Sequence, residues 1–193
     1  MKKEIFKRIG FPEKKGLYDP SFEKDACGFG FIADINNEPK HEIVHQALSI
    51  VHKLDHRGAI GADPLAGDGA GILIQLPDKF FRNYFKNQKI SLPALGDYSV
   101  GMVFLPNDIT RSSIAQKAIE QAISDEGQIF IGWRDVPTDD TVLGDSVINN
   151  KPIIKQFFIQ RSSKCKDENH FQRKLYVIRK TVHKKIHQSN LLE

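Results

Sequence analysis

Apolar residues in this chain repeatedly switch between two repeats, one of an extended strand and one of a helix. Around Phe29 and Phe31 they alternate, which predicts a short strand starting at Cys27. After Pro39 they fall on Ile43, Val44, Ala47, Leu48, Val51 and Leu54, the three-four spacing of a helix that ends before Gly58. A strand over Ile72 to Leu76 and a short helix over Asp78 to Asn87, carrying Phe80, Phe81, Tyr84 and Phe85, come next. The switching then repeats. Strands are expected at Ser99 to Leu105, Gln128 to Trp133 and Ile153 to Gln160. Asp108 or Thr110 caps a helix running to Ser124, and Asp167 or Asn169 starts a long one along Phe171, Leu175, Ile178, Val182 and Ile186. Pro137 to Pro152 reads as loop with one helical turn near Leu143. Such an order excludes all-helical and all-strand folds and leaves α/β and α+β both open.

The 193 residues suit one domain, and 40% apolar residues can supply its core. No apolar run approaches the ~20 residues that cross a bilayer, so no membrane partner is expected. The N-terminus is basic but lacks the apolar stretch of a secretory signal, and Glu4 and Glu13 argue against an organelle transit peptide. The net charge of +4 gathers at the chain ends, without a nucleic-acid module or a basic stripe interleaved with aromatics. Solvated basic ends are the plainer reading, and no nucleic-acid partner is expected. Two cysteines, Cys27 and Cys165, form no framework of disulfides, which fits the reducing cytoplasm. His41, His45, His52 and His56 fall near helical spacing, but no thiolate or carboxylate motif completes a metal site, and three of them are expected on the wet side of the helix.

Three local features could carry chemistry. Cys27 sits between Ala26 and Gly28, small neighbours that would leave its sulfur accessible; a buried small hydrophobe is the alternative. His56-Arg57-Gly58 closes the first helix, either as a cap with glycine in the left-handed conformation or as a turn that aims Arg57 at a site. The glycine loop from Gly61 to Gly71, with Asp63 and Asp68, lacks the lysine of a phosphate loop and feeds a strand instead of a helix N-terminus. It reads as a structural loop.

Taken together, D-A-C-G-F-G-F and H-R-G-A-I-G-A-D-P-L-A-G-D-G-A-G-I-L-I-Q-L-P-D resemble the N-terminal, class II glutamine amidotransferase region of the glutamate synthase large-subunit family. G-L-Y-D-P ahead of the cysteine, Y-S-V-G-M-V-F-L-P, G-W-R-D-V-P, V-L-G and R-K-L-Y-V-I-R-K extend the resemblance over about residues 16 to 185.

That resemblance implies an α+β fold of the N-terminal-nucleophile (Ntn) hydrolase type, a four-layer αββα sandwich of which this chain is the N-terminal part. It implies that residues 1–26 are a leader and 27–193 belong to the amidotransferase domain. Cys27, as the mature first residue, would attack glutamine, with its own α-amine (pKa ~7.7–8.0) as base. Arg57 matches the arginine that supports the active site. Asp63, Asp68 and the loop glycines are expected as scaffold, and Trp133 and Arg134 as packing and a surface ion pair. The family's Asn-Gly oxyanion hole and its clamp for the glutamine α-groups are expected beyond Glu193, and the chain contains no Asn-Gly dipeptide. The implied function is release of ammonia from glutamine for glutamate synthesis from 2-oxoglutarate. The complete enzyme would use FMN and an iron–sulfur cluster, neither held by this fragment. Its partners would be glutamine, the synthase portion, and a small electron-transfer subunit or a ferredoxin. A stand-alone class II glutaminase-like protein and a non-catalytic remnant are the alternatives.

Overall fold

A computed structural model describes residues 14–16, 28–54, 65 and 69–188. They divide into two units: 14–16, 28–54 and 69–73 in the first, 65 and 74–188 in the second.

The first unit is built on helix α1, His41–Lys53. Its N-cap residue, Lys40, offers no side-chain cap. Order at this end comes instead from Asp34, whose carboxylate accepts the backbone N–H groups of Asn36 (2.8 Å) and Glu38 (3.2 Å) and the Lys40 ammonium (3.2 Å). These donors, the Glu38 N–H foremost, hold the Asp34 carboxyl below the usual carboxylate range. Ile43, Val44, Ala47, Ile50, Val51 and Leu54 are half-buried, and His41, His45 and His52 are exposed as their spacing predicts. Leu48, expected on the apolar face, is exposed instead, and Ile50 takes its place there.

Two expected strands are absent. Residues 28–34 and 71–77 have no ladder, and Phe29, Phe31 and Leu73 are almost fully exposed. Alternation of side chains prepares a segment to be extended, but a strand exists only where a neighbour accepts its backbone hydrogen bonds. Among the described residues neither segment has such a neighbour.

The second unit holds α2 (Asp78–Lys86), β1 (Tyr98–Leu105), α3 (Ile109–Asp125), β2 (Ile129–Asp135), the single turn α4 (Asp145–Ile148), β3 (Ile153–Gln160) and α5 (Glu168–Gln188). These follow the sequence reading within a residue or two. Asp108 caps α3 by accepting the Arg111 N–H, and Asp167 accepts the His170 N–H at the start of α5. The sheet order is β1-β3-β2, antiparallel throughout, which decides between α/β and α+β in favour of the latter. β1 and β2 flank the last strand, with Tyr98 and Ile129 both opposite Gln160. A register shift between Phe130 and Gly132 interrupts the second ladder.

β3 is the centre of the packing because Phe157, Phe158 and Ile159 feed opposite faces. Phe157 and Ile159 join Ile119, Ala122 and Ile123 of α3 and Phe171 and Ile178 of α5. Phe158 joins Phe81 and Phe85 of α2 with Leu92 and Tyr98. Its ring meets those of Phe81 and Phe85 edge-on at 5.0 and 4.6 Å, contacts that contribute about 0.5–1.5 kcal/mol each beyond area burial. Gly101 makes room on the other face: a Cβ there would run into the Phe157 ring. Among the described residues no helix is long and apolar enough to cross a membrane.

Candidate active site

Cys27 and Arg57 lie outside the described residues, as do Asp63, Asp68 and most of the glycine loop, so the structure brings together their flanks and not the residues themselves. The segment that follows Cys27 meets the helix that precedes Arg57. Gly30 lies against Ile50 of α1, so close that a Cβ on it would be 2.7 Å from Ile50 Cγ2. Glycine at this position therefore permits an approach no other residue allows. Helix α1 runs from there to Leu54, whose N–H is accepted by Ile50 and Val51 carbonyls at 3.0 and 3.1 Å. The Asp34 turn fixes the other end of the helix. Of the glycine loop, Gly69 has φ +89, the left-handed region its residue type favours.

The motifs of the second unit act as packing. Y-S-V-G-M-V-F-L is strand β1, Gly144 is the buried N-cap of α4, and R-K-L-Y-V-I-R-K is the middle of α5. Trp133 packs between Phe130 and Phe157 and donates its indole N–H to Glu120 at 2.7 Å. Arg134 corrects an expectation: it makes no surface ion pair among the described residues. Its guanidinium donates to the Gln156 amide oxygen at 2.8 Å and stands 5.1 Å from the ring centres of both Phe80 and Tyr84. The β2 strand turns it toward α2, where rings and an amide are the available partners. Cys165 lies in the polar stretch S-S-K-C-K-D, yet its side chain is buried in the α3–α5 core with its thiol facing Gln128 Oε1 at 3.5 Å.

Sequence reasoning missed a cluster of side chains around Asp78. Asp78 accepts from Arg82 Nε at 2.8 Å and from the Tyr98 hydroxyl at 2.7 Å, while Arg82 also donates to the Leu92 and Pro93 carbonyls. The Arg82 hydrogen bond, then that of Tyr98, lowers the Asp78 carboxyl against the opposing effect of desolvation. Burial first, then the adjacent carboxylate, raises the Tyr98 phenol. Asp78 and Arg82 at i,i+4 are a readable helix pair, but nothing local points to Tyr98. This arrangement ties α2 to the loop before β1 and to the first residue of that strand. No group of three or more His, Cys, Asp or Glu side chains among the described residues is placed to hold a metal ion.

Comparison with known proteins gives the site its context. The family described as glutamine amidotransferases class-II matches residues 27–193. The glutamate synthase [NADPH] large chain of Bacillus subtilis (strain 168) is 46% identical over 169 residues, which is 88% of this chain and 11% of that one. The ferredoxin-dependent glutamate synthase of Pyropia yezoensis is 42% identical over 164 residues, 85% of this chain and 10% of that one. The glutamate synthase [NADH] of Saccharomyces cerevisiae is 37% identical over 179 residues, 88% of this chain and 8% of that one. The chain thus spans about a tenth of the length of the curated relatives it matches.

Proposed function

The chain belongs to the class II glutamine amidotransferase family, and from that premise we propose that it is the front of the glutaminase portion of a glutamate synthase. Residues 1–26 are then a leader and 27–193 the N-terminal part of the amidotransferase domain. The observation that carries this reading is the family match, which starts at Cys27 and covers a stretch shared with proteins named glutamate synthases.

Cleavage before Cys27 turns its amide nitrogen into a free amine with a pKa of ~7.7–8.0, suited to take the thiol proton near neutral pH. The sulfur attacks the side-chain amide carbon of glutamine. The C–N bond breaks as the proton passes to the leaving nitrogen, giving ammonia and a glutamyl thioester. Water then opens the thioester, releases glutamate and restores the thiol. Arg57 supports the geometry of this step as a positioning residue. The Gly30–Ile50 contact supports a shared site, because it joins the segment after Cys27 to the helix before Arg57.

The fold that goes with this reading is the four-layer αββα sandwich. The β1-β3-β2 sheet, with α3 and α5 packed on one face, supports it as one sheet and one helical layer. Ammonia passes to a synthase portion that makes glutamate from 2-oxoglutarate with FMN and an iron–sulfur cluster. This chain does not fit those groups: one cysteine is assigned as nucleophile, and Cys165 is enclosed in the core, so no thiolate set exists to hold a cluster. A small electron-transfer subunit or a ferredoxin supplies electrons, and the compartment is the cytoplasm.

The test is to express the protein from its full reading frame, read the N-terminus and measure ammonia release from glutamine. A mature N-terminus at Cys27 and loss of turnover in Cys27→Ala are expected. An active enzyme that still begins with Met1, or an active Cys27→Ala variant, would overturn the reading.

A further inference from the structure

Helix α5 concentrates the chain's positive charge. It carries Arg173, Lys174, Arg179, Lys180, Lys184 and Lys185 against Glu168 as its one acidic residue. Six cations less one carboxylate leave +5, more than the +4 of the whole chain, so the remainder sums to slightly negative. The helix is one of the chain's two basic ends. Two of the six have partners on α3's C-terminal end: Lys174 pairs with Glu126 at 2.8 Å and Lys185 with Asp125 at 3.4 Å. Arg173, Arg179, Lys180 and Lys184 are exposed and make no ion pair among the described residues.

Spacing orders these charges. Positions 173, 177, 180 and 184 are separated by four, three and four residues, so they form one strip along the helix, opposite the face that buries Phe171 and Ile178. Lys180 and Lys184 are like charges one turn apart, an arrangement that weakens a helix until a counter-charge is supplied. Val177 on the strip and Tyr176 beside it are exposed, at 39% and 56%. The cations of Arg179 and Lys180 lie 5.6 and 5.7 Å from the Tyr176 ring centre.

We propose that the outer face of α5 is a docking surface for a carboxylate-rich protein surface. Unpaired cations in a line ask for a row of carboxylates, and an exposed tyrosine and valine among them supply the apolar anchor that protein interfaces use. Nucleic acid fits less well: Tyr176 is the one exposed Phe, Tyr or Trp ring on this helix, and a single ring gives no row of platforms for successive bases. This inference is independent of the glutaminase reading.

The probe is a fluorescein-labelled Glu/Leu peptide, with a duplex DNA of equal charge for comparison, titrated with the full chain at low and at physiological salt. The peptide is expected to bind, to weaken with salt, and to lose about tenfold or more in affinity when Arg173→Glu, Lys180→Glu and Lys184→Glu are combined. Lys79→Glu, Lys86→Glu and Lys117→Glu together change net charge by the same amount elsewhere and should change affinity by less than about twofold. Glutamine replacements at 173, 180 and 184 provide an intermediate loss if the reversal variant does not fold. Equal loss in both variant sets, tighter binding of DNA than of peptide, or no salt-sensitive binding would each overturn the proposal.

Discussion

Gly30 and Ile50 touch so closely that the smallest side chain on one would collide with the other, at 2.7 Å. Ile50 is β-branched on a helix, where one χ1 rotamer dominates, so it cannot swing aside. Gly30→Ala should displace the segment after Cys27 and slow alkylation of the Cys27 thiol by iodoacetamide in the processed full-length protein, by about tenfold. Ile50→Ala in the same molecule should restore most of the rate. Equal rates in wild type and Gly30→Ala would separate this contact from the active site.

The two thiols should react very differently. The glutamine analogue 6-diazo-5-oxonorleucine is expected to label Cys27 alone in the leader-free full-length enzyme, with Cys165 reacting with general thiol reagents only after denaturation. Burial in the α3–α5 core keeps Cys165 from solvent. Peptide mapping by mass spectrometry reads the outcome, and unchanged labelling in Cys27→Ser would remove the assignment.

Cut after Ala26, the 193-residue chain by itself should release no ammonia from glutamine. It contains no Asn-Gly dipeptide to serve as the oxyanion hole, and each missing oxyanion donor costs ~10²–10³ in rate. Cys27-dependent turnover in an ammonia assay, absent from Cys27→Ala, would instead favour a stand-alone glutaminase.

Acid should loosen the hold of Asp78 on α2. The Asp78 carboxyl titrates below its ordinary value because of Arg82 and then Tyr98, so its contribution is fully present above the unfolded pKa near 3.8 and is lost as pH falls through the lower folded value. Tyr98→Phe should cost about 1 kcal/mol at neutral pH, and both it and Asp78→Asn should flatten the acid limb of stability. Urea midpoints measured from about pH 6 to pH 3 check this; an acid limb identical to wild type in Asp78→Asn would contradict it.

Gly101→Ala puts a methyl group into the Phe157 ring, and the resulting overpacking should destabilise the chain by about 1–3 kcal/mol in thermal or urea unfolding. Phe157→Leu on that background should recover part of the loss. No change in Gly101→Ala would mean the ring has another place to go.

Most of the second unit was legible because its signals are local. Asp108 and Asp167 are cap residues in front of apolar periods, and Ile153 to Gln160 is both a period-two stretch and the observed strand. What was not legible depends on partners distant in sequence. Phe29, Phe31 and Leu73 alternate like strand residues yet have no ladder beside them among the described residues. Arg134 beside Asp135 reads as an ion-pairing residue but faces Phe80 and Tyr84, more than forty positions away. Cys165 sits in a polar stretch whose fold-back onto Gln128 no window of sequence contains. Cys27 and Arg57 are legible as motif residues from pattern alone, and both lie outside the described residues.

The position of β3 carries a consequence for the chain's synthesis. The first and second strands of the sheet cannot bond to each other, since the third lies between them, and Tyr98 waits for Gln160. On a ribosome adding ~5–20 residues each second, Tyr98 to Leu105 is made several seconds before its mate exists. During that interval β1 and β2 are open templates with apolar faces, and within their own unit α2 and α3 are the helices already made. Neither ladder of the sheet can therefore form until residues 153–160 have been made. Slowing translation ahead of that point would lengthen the exposure, whereas substitutions that weaken β3 would strand both neighbours together.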